Sequence, residues 1–144
     1  MIKFENSTFI NRSPQDVFDF VNNPANDAKW QTGVELSEWT SAGPPGVGST
    51  LKSVINFMGR KIESTIEVTI WDPPHRSGLK VLSGPIPFEI SVKYEAQGDG
   101  TLLTQSGQAE FGGFFKLAEG LVGKQLEKQF KSDNVTLKSL LEKG

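Results

Sequence analysis

The chain has 144 residues, of which 36% are hydrophobic and 22% charged, with a formal net charge of −2. That length supports one domain, taken as residues 1–144, with a core that needs no covalent staples. The near-neutral balance gives no reason to expect nucleic acid or an anionic membrane as partner, and the absence of cysteine excludes disulfides, thiol catalysis and thiolate metal sites.

The first thirty residues hold Glu5, Asp16, Asp19 and Asp27 and no long apolar run, so no signal peptide is expected. No stretch approaches the roughly 18 apolar residues that suggest a membrane span. A cytoplasmic protein without stable membrane insertion is the default expectation.

Ile2 to Ile10 reads as an edge-forming first strand, with apolar residues at Ile2, Phe4 and Phe9. Ser13-Pro14-Gln15-Asp16 then starts a helix: Ser13 can cap, Pro14 suits the first helical position, and Asp16 lies three residues after the cap. Val17, Phe18, Phe20 and Val21 give that short helix an apolar face. Asn23-Pro24 opens a second short helix that runs to about Trp30.

From Gly33 the signals change to strands. Val34 to Thr40 is closed by Gly43-Pro44-Pro45-Gly46, which suits neither a helix nor a central strand. Leu51, Ser53, Ile55 and Phe57 alternate with Lys52, Val54 and Asn56, and Met58-Gly59-Arg60 makes a turn. Ile62, Ser64, Ile66, Val68 and Ile70 alternate with polar residues in the cleanest period-2 run of the chain. Asp72-Pro73-Pro74-His75 ends it. A shorter strand around Leu79 and Val81 breaks at Ser83-Gly84-Pro85. Phe88, Ile90, Val92, Tyr94 and Ala96 form the next strand, Gly98-Asp99-Gly100 turns it, and Leu102 to Phe111 returns.

Gly112-Gly113 lets the chain swing into one long amphipathic helix, Phe114 to Lys143. At 100° per residue Phe115, Ala118, Val122, Leu126, Phe130, Leu137 and Leu140 share an arc, with Phe114, Leu117 and Leu121 widening it near the start. Gly120 and Gly123 lower helix stability there by about 1 kcal/mol each relative to alanine, which points to close packing or a flexible first section. Consecutive strands joined by tight turns mean an antiparallel meander and an α+β fold, in which a bent sheet buries the stripe of the long helix.

The order of elements resembles the START-like (SRPBCC) superfamily. Ile10-Asn11-Arg12-Ser13-Pro14-Gln15-Asp16-Val17-Phe18-Asp19-Phe20-Val21 is similar to that superfamily's opening "sP-x-x-V-F-x-x-V" pattern. Asn23-Pro24 followed by Trp30, then Gly46-Val47-Gly48-Ser49, then Val68-Thr69-Ile70-Trp71-Asp72-Pro73-Pro74, resemble its next three landmarks. The match covers essentially the whole chain and is closest to the polyketide cyclase/dehydrase and lipid-transport branch. It implies a helix-grip fold: a seven-stranded bent antiparallel sheet wrapped around the C-terminal helix, with two short helices after the first strand. The superfamily contains cyclases, hydratases, carriers, coenzyme Q-binding proteins and co-chaperone domains, so it leaves function open.

Polar residues on the apolar strand faces are the most informative candidates. Ser53, Ser64, Tyr94 and Gln105 fall there, and burying them without partners would cost roughly 1–3 kcal/mol each. Either they have structural partners or they orient a ligand in a cavity, for which Gly107 and Ala109 leave space. The expected apolar wall comprises Ile55, Phe57, Ile66, Phe88, Ile90, Phe114 and Ala118. A one-residue slip of register would reverse these assignments.

His75, the only histidine, sits in a turn and reads as an exposed loop residue. No metal-ligand spacing, nucleophile constellation or phosphate-binding loop is present, and no cofactor is expected. Asp133 and Gln129 fall within the apolar arc of the long helix; a buried Asp133 would have a raised pKa and could serve as an acid. Phe111-Gly112-Gly113-Phe114-Phe115 is a candidate pocket mouth and Pro85-Ile86-Pro87-Phe88 a candidate lid.

The expected partner is a small hydrophobic molecule such as a lipid, polyketide, isoprenoid or aromatic compound, with a homodimer left open. One alternative is a cyclase or dehydratase acting on a polyketide-like substrate, with Tyr94 and Asp133 as the only residues placed to exchange a proton. Another is a protein-interaction domain using the outer sheet, with Trp39 or Trp71 as outer-face anchors.

Overall fold

The computed structural model describes residues 2–110 and 119–143. In chain order these form β1 (Ile2–Ile10), α1 (Pro14–Val21), a 3-10 turn (Pro24–Asn26), α2 (Asp27–Trp30), β2 (Val34–Trp39), β3 (Thr50–Phe57), β4 (Arg60–Asp72), β5 (Arg76–Ser83), β6 (Phe88–Gln97), β7 (Gly100–Ala109) and α3 (Glu119–Lys143). The described strands make one seven-stranded sheet in the order β1-β7-β6-β5-β4-β3-β2. Every neighbouring pair is antiparallel. This is the expected meander from β2 to β7, with β1 closing beside β7 as an edge.

Local chemistry accounts for the joints. Ser13 Oγ accepts from the Asp16 amide at 3.2 Å, so the predicted cap forms. Met58 and Gly59 both take positive φ, 52° and 79°, which matches the twist of the β3–β4 hairpin. Arg12 Nη1 donates to the Leu141 carbonyl at 2.7 Å, and Lys138 Nζ donates to the Phe9 carbonyl at 2.8 Å. These contacts tie the β1–α1 corner to the last turns of α3, and the guanidinium also complements the negative end of the helix dipole.

The main core lies beneath the second half of α3. Ile10, Val17, Phe18, Leu103, Leu137 and Leu141 are buried together there with Trp30, Val92 and Tyr94. A second cluster joins Phe57, Ile62, Ala109 and Val122. Gly123 is a close-packed glycine, because an added Cβ would lie 3.0 Å from Ile2 Cδ1. Leu121, by contrast, is 67% exposed and does not widen the buried stripe.

Several boundaries and faces differ from the sequence expectations. β7 ends at Ala109, before Glu110, while the expected end at Phe111 lies outside the described residues; β5 starts at Arg76, ahead of Leu79. The first residues of the expected long helix, 114–118, lie outside the described residues. Register shifts occur between Val34 and Leu36 on β2, and between Val68 and Ile70 on β4. Such bulges reverse the alternation of faces beyond them. Among the described residues, no helix is long and apolar enough to cross a membrane.

Candidate functional site

Between the bent sheet, the α2 segment and the first half of α3, the described residues enclose a hollow of about 240 Å³. Its wall is ordered by strand register. Val34, Ile55 and Ile62 are successive partners across β2, β3 and β4, and Trp39, Leu51 and Ile66 form a parallel row. Between these two apolar rows run Ser37, Ser53 and Ser64, again in direct register. All nine side chains line the hollow. Phe88, Ile90 and Val92 of β6 continue the wall, and Leu126, Gln129, Phe130 and Asp133 of α3 form its other side.

Of the residues singled out from sequence, Ser53, Ile55, Phe57, Ser64, Ile66, Phe88, Ile90 and Gln105 all line the hollow. Phe114 and Ala118 lie outside the described residues, as does the candidate mouth at 111–115. Ile86 of the candidate lid lines the hollow and packs against the cluster around Phe57 and Val122.

Tyr94 belongs to the core rather than to the lining. Its hydroxyl bonds to Ser77 Oγ at 2.7 Å and accepts from Asn22 Nδ2 at 3.0 Å. Burial pushes its pKa up to about 12, against the opposing effect of those two hydrogen bonds. A hydroxyl so placed is neutral and already partnered, so it does not suit the proton-exchanging role considered for it. Gln105 is partly committed as well, since its Oε1 accepts from Asn134 Nδ2 at 2.9 Å.

Gly107 leaves no empty space. Phe4, its cross-strand partner, covers it, and a Cβ at Gly107 would lie 2.5 Å from Phe4 Cζ and 2.7 Å from the Glu89 carbonyl. The Phe4 ring in turn stacks on Phe130 of α3 with centroids 4.6 Å apart. The glycine admits a ring that bridges sheet and helix.

Trp39 and Trp71 line the hollow and meet edge to face with centroids 6.4 Å apart. They are not outer-face anchors. The bulges on β2 and β4 lie just before them and turn both rings inward, while Leu36 is exposed. His75 is exposed in its turn and takes no part in the lining.

Two carboxyls line the hollow. Asp133 Oδ1 accepts from the Thr32 amide at 3.0 Å and from the Thr32 hydroxyl at 2.5 Å. Burial raises its pKa, partly offset by those bonds. Asp27, in the first turn of α2, accepts from Ser37 Oγ at 2.6 Å, and burial raises its pKa to about 6. Sequence reasoning passed over Asp27. The Asn23-Pro24 helix start was the available signal, but the pairing with Ser37 depends on how α2 docks on β2. Among the described residues, no group of three or more His, Asp or Glu is placed to hold a metal ion.

The model of the polyketide cyclase / dehydrase and lipid transport family matches residues 1–142. The chain belongs to this polyketide cyclase/dehydrase and lipid transport family. Solved structures agree on the helix-grip, START-like fold of this family member. The TTHA0849 protein of Thermus thermophilus is 20% identical with a TM-score of 0.83, over 96% of each chain. A START superfamily protein from Mycobacterium smegmatis is 14% identical with a TM-score of 0.76, over 97% of this chain and 99% of that one. The di-domain ARO/CYC BexL from the BE-7585A biosynthetic pathway is 17% identical with a TM-score of 0.74, over 95% of this chain and 48% of that one. At these identities the likeness speaks to fold alone. No curated protein matches this family member significantly.

Proposed function

We propose that the chain binds a small hydrophobic molecule, of lipid, polyketide, isoprenoid or aromatic type, in the hollow between the sheet and α3. The observation that carries this reading is a cavity of about 240 Å³ walled mainly by Ile, Leu, Val, Phe and Trp side chains, with polar groups in the minority. Binding sites for small apolar molecules have this make-up. Ile55, Phe57, Ile66, Phe88 and Ile90 supply the apolar contact in this proposal. Ser53, Ser64 and Gln105 orient the ligand. Tyr94 acts indirectly, by fixing Ser77 and Asn22 in the lining. A location in the cytoplasm fits the same reading. Native mass spectrometry of the purified protein, followed by denaturing extraction, tests it: a stoichiometric apolar passenger is the expected result.

A second reading is favoured by Asp27. A carboxyl whose pKa is raised to about 6 inside an apolar hollow is suited to proton transfer near neutral pH. A cyclase or dehydratase acting on a polyketide-like substrate would use it that way, with much of the catalysis coming from the folded conformation imposed on the substrate. That the fold neighbours include a di-domain ARO/CYC adds to this reading. Turnover that disappears in Asp27→Asn while ligand binding persists is its signature.

A further inference from the structure

The serine row carries more information than the presence of a cavity does. Directly opposed residues on antiparallel strands point to the same face, and neighbouring strands lie about 4.8 Å apart, so a row three strands wide covers roughly 10 Å of wall. Ser37 at one end is committed to Asp27 through a 2.6 Å hydrogen bond. Ser53 and Ser64 have no hydrogen-bonded side-chain partner among the described residues, although Ser64 is only 9% exposed. Two hydroxyls of this apolar wall therefore have no side-chain partner in the protein and are free to meet a ligand.

The charges around the same hollow point in one direction. Asp27 and Asp133 are in the lining, and the described lining residues include no Lys, Arg or His. An anionic ligand would enter a poorly solvated space beside two carboxyls with no counter-charge among the described lining residues, which is strongly unfavourable. Trp30 adds a further constraint, because it lines the hollow while its buried Nε1 has no hydrogen-bond partner. The lining groups without a partner in the protein thus comprise a donor, Trp30 Nε1, and two hydroxyls that can donate or accept. A neutral hydroxyl meets both kinds, whereas an ammonium only donates and a carboxylate only accepts.

We infer, on the basis of the binding reading above, that the occupant is a neutral hydroxylated apolar molecule, an alcohol or phenol. Its oxygen lies along the Ser37–Ser53–Ser64 row, and anionic amphiphiles are rejected.

The test is calorimetric titration of the intact protein, freed of any passenger, with naphthalene, naphthol and naphthoate at neutral pH. One net hydrogen bond corresponds to about a fivefold to tenfold preference for naphthol over naphthalene, and naphthoate is expected to bind at least about tenfold more weakly than naphthol. Replacing both Ser53 and Ser64 by alanine brings naphthol to within about twofold of naphthalene. Asp27→Asn strengthens naphthoate relative to the parent protein. Naphthoate binding as tightly as naphthol, or naphthol and naphthalene binding equally in the unaltered protein, overturns the inference and leaves the binding reading standing. Failure of all three to bind overturns both. The unaltered protein alone decides between these outcomes, so the result does not depend on a variant's folding.

Discussion

Asp133 of α3 holds Thr32 through one carboxylate oxygen, which accepts from the Thr32 amide at 3.0 Å and from its hydroxyl at 2.5 Å. Gln129, one turn earlier, donates to the Thr32 carbonyl at 3.4 Å. The long helix is thereby fastened to the segment between α2 and β2, along one side of the hollow. Asp133→Ala leaves the Thr32 amide without this acceptor. The expected loss of stability is about 1–3 kcal/mol, measured by urea unfolding. An unchanged unfolding midpoint would show that water replaces the carboxylate at no cost.

Asp27 sets a pH dependence whose sign can be worked out. Its folded-state pKa is raised from 3.8 to about 6, chiefly by burial, with Ser37 opposing the shift. The folded chain therefore holds this proton more tightly than the unfolded chain does. The stabilisation from that tighter hold is complete below 3.8 and is lost as pH rises through about 6. Asp27→Asn removes the titration, so the variant should gain on the parent across that window. The expected gain is on the order of 1 kcal/mol, discounted for partial solvent contact. Urea midpoints of both proteins on either side of the window check this, and a constant difference between them would contradict it.

The alternation of β3 and β4 was legible in the sequence because it is a local property. Leu51, Ser53, Ile55 and Phe57, and Ile62, Ser64, Ile66 and Val68, all line the hollow as period 2 requires. It failed where the chain departs from period 2. Beyond the bulge on β4 the inward residue is Trp71 rather than Ile70, and beyond that on β2 Ser37 and Trp39 face inward, where Trp39 was expected on the outer face. The bulged residues carry no glycine or proline of their own; the glycine at the β4 shift, Gly78, stands on the partner strand opposite Ile70. The row Ser37–Ser53–Ser64 and the bond from Ser37 to Asp27 were out of reach for the same reason, since they depend on the register of separate strands and on helix docking. Gly107 misled in another way: a residue without a side chain suggests space, yet the Phe4 ring that fills it is about a hundred residues away in sequence.

That ring makes Gly107 sensitive to the smallest enlargement. A Cβ there would approach the Glu89 carbonyl at 2.7 Å as well as the ring, and backbone gives way less readily than a side chain. Gly107→Ala is expected to cost about 1–3 kcal/mol. Combining it with Phe4→Ala should recover only part of the loss, because the clash with the carbonyl remains. A double-mutant cycle on thermal unfolding measures the coupling. Strict additivity would show that the ring and the glycine are independent.

Tyr94→Phe separates a structural hydroxyl from a catalytic one. Removing the oxygen strips a partner from Ser77 and from Asn22, for an expected loss of about 1–2 kcal/mol. Ligand affinity should change by less than about threefold, because the ring stays in the core against Phe18, whose centroid is 5.2 Å away. Loss of binding or turnover in a folded Tyr94→Phe protein would return this hydroxyl to the site.

The most direct measurement of the central claim is native mass spectrometry of the purified chain beside its Ser64→Phe variant. Ser64 lies in the middle of the wall, opposite Ser53, so a phenyl group there occupies the hollow. The account predicts an apolar passenger at one per chain on the parent protein and none on the variant, with circular dichroism showing the variant folded. A folded variant that carries the same passenger at the same occupancy, or a parent protein that carries none and takes up no apolar compound offered to it, would contradict the account.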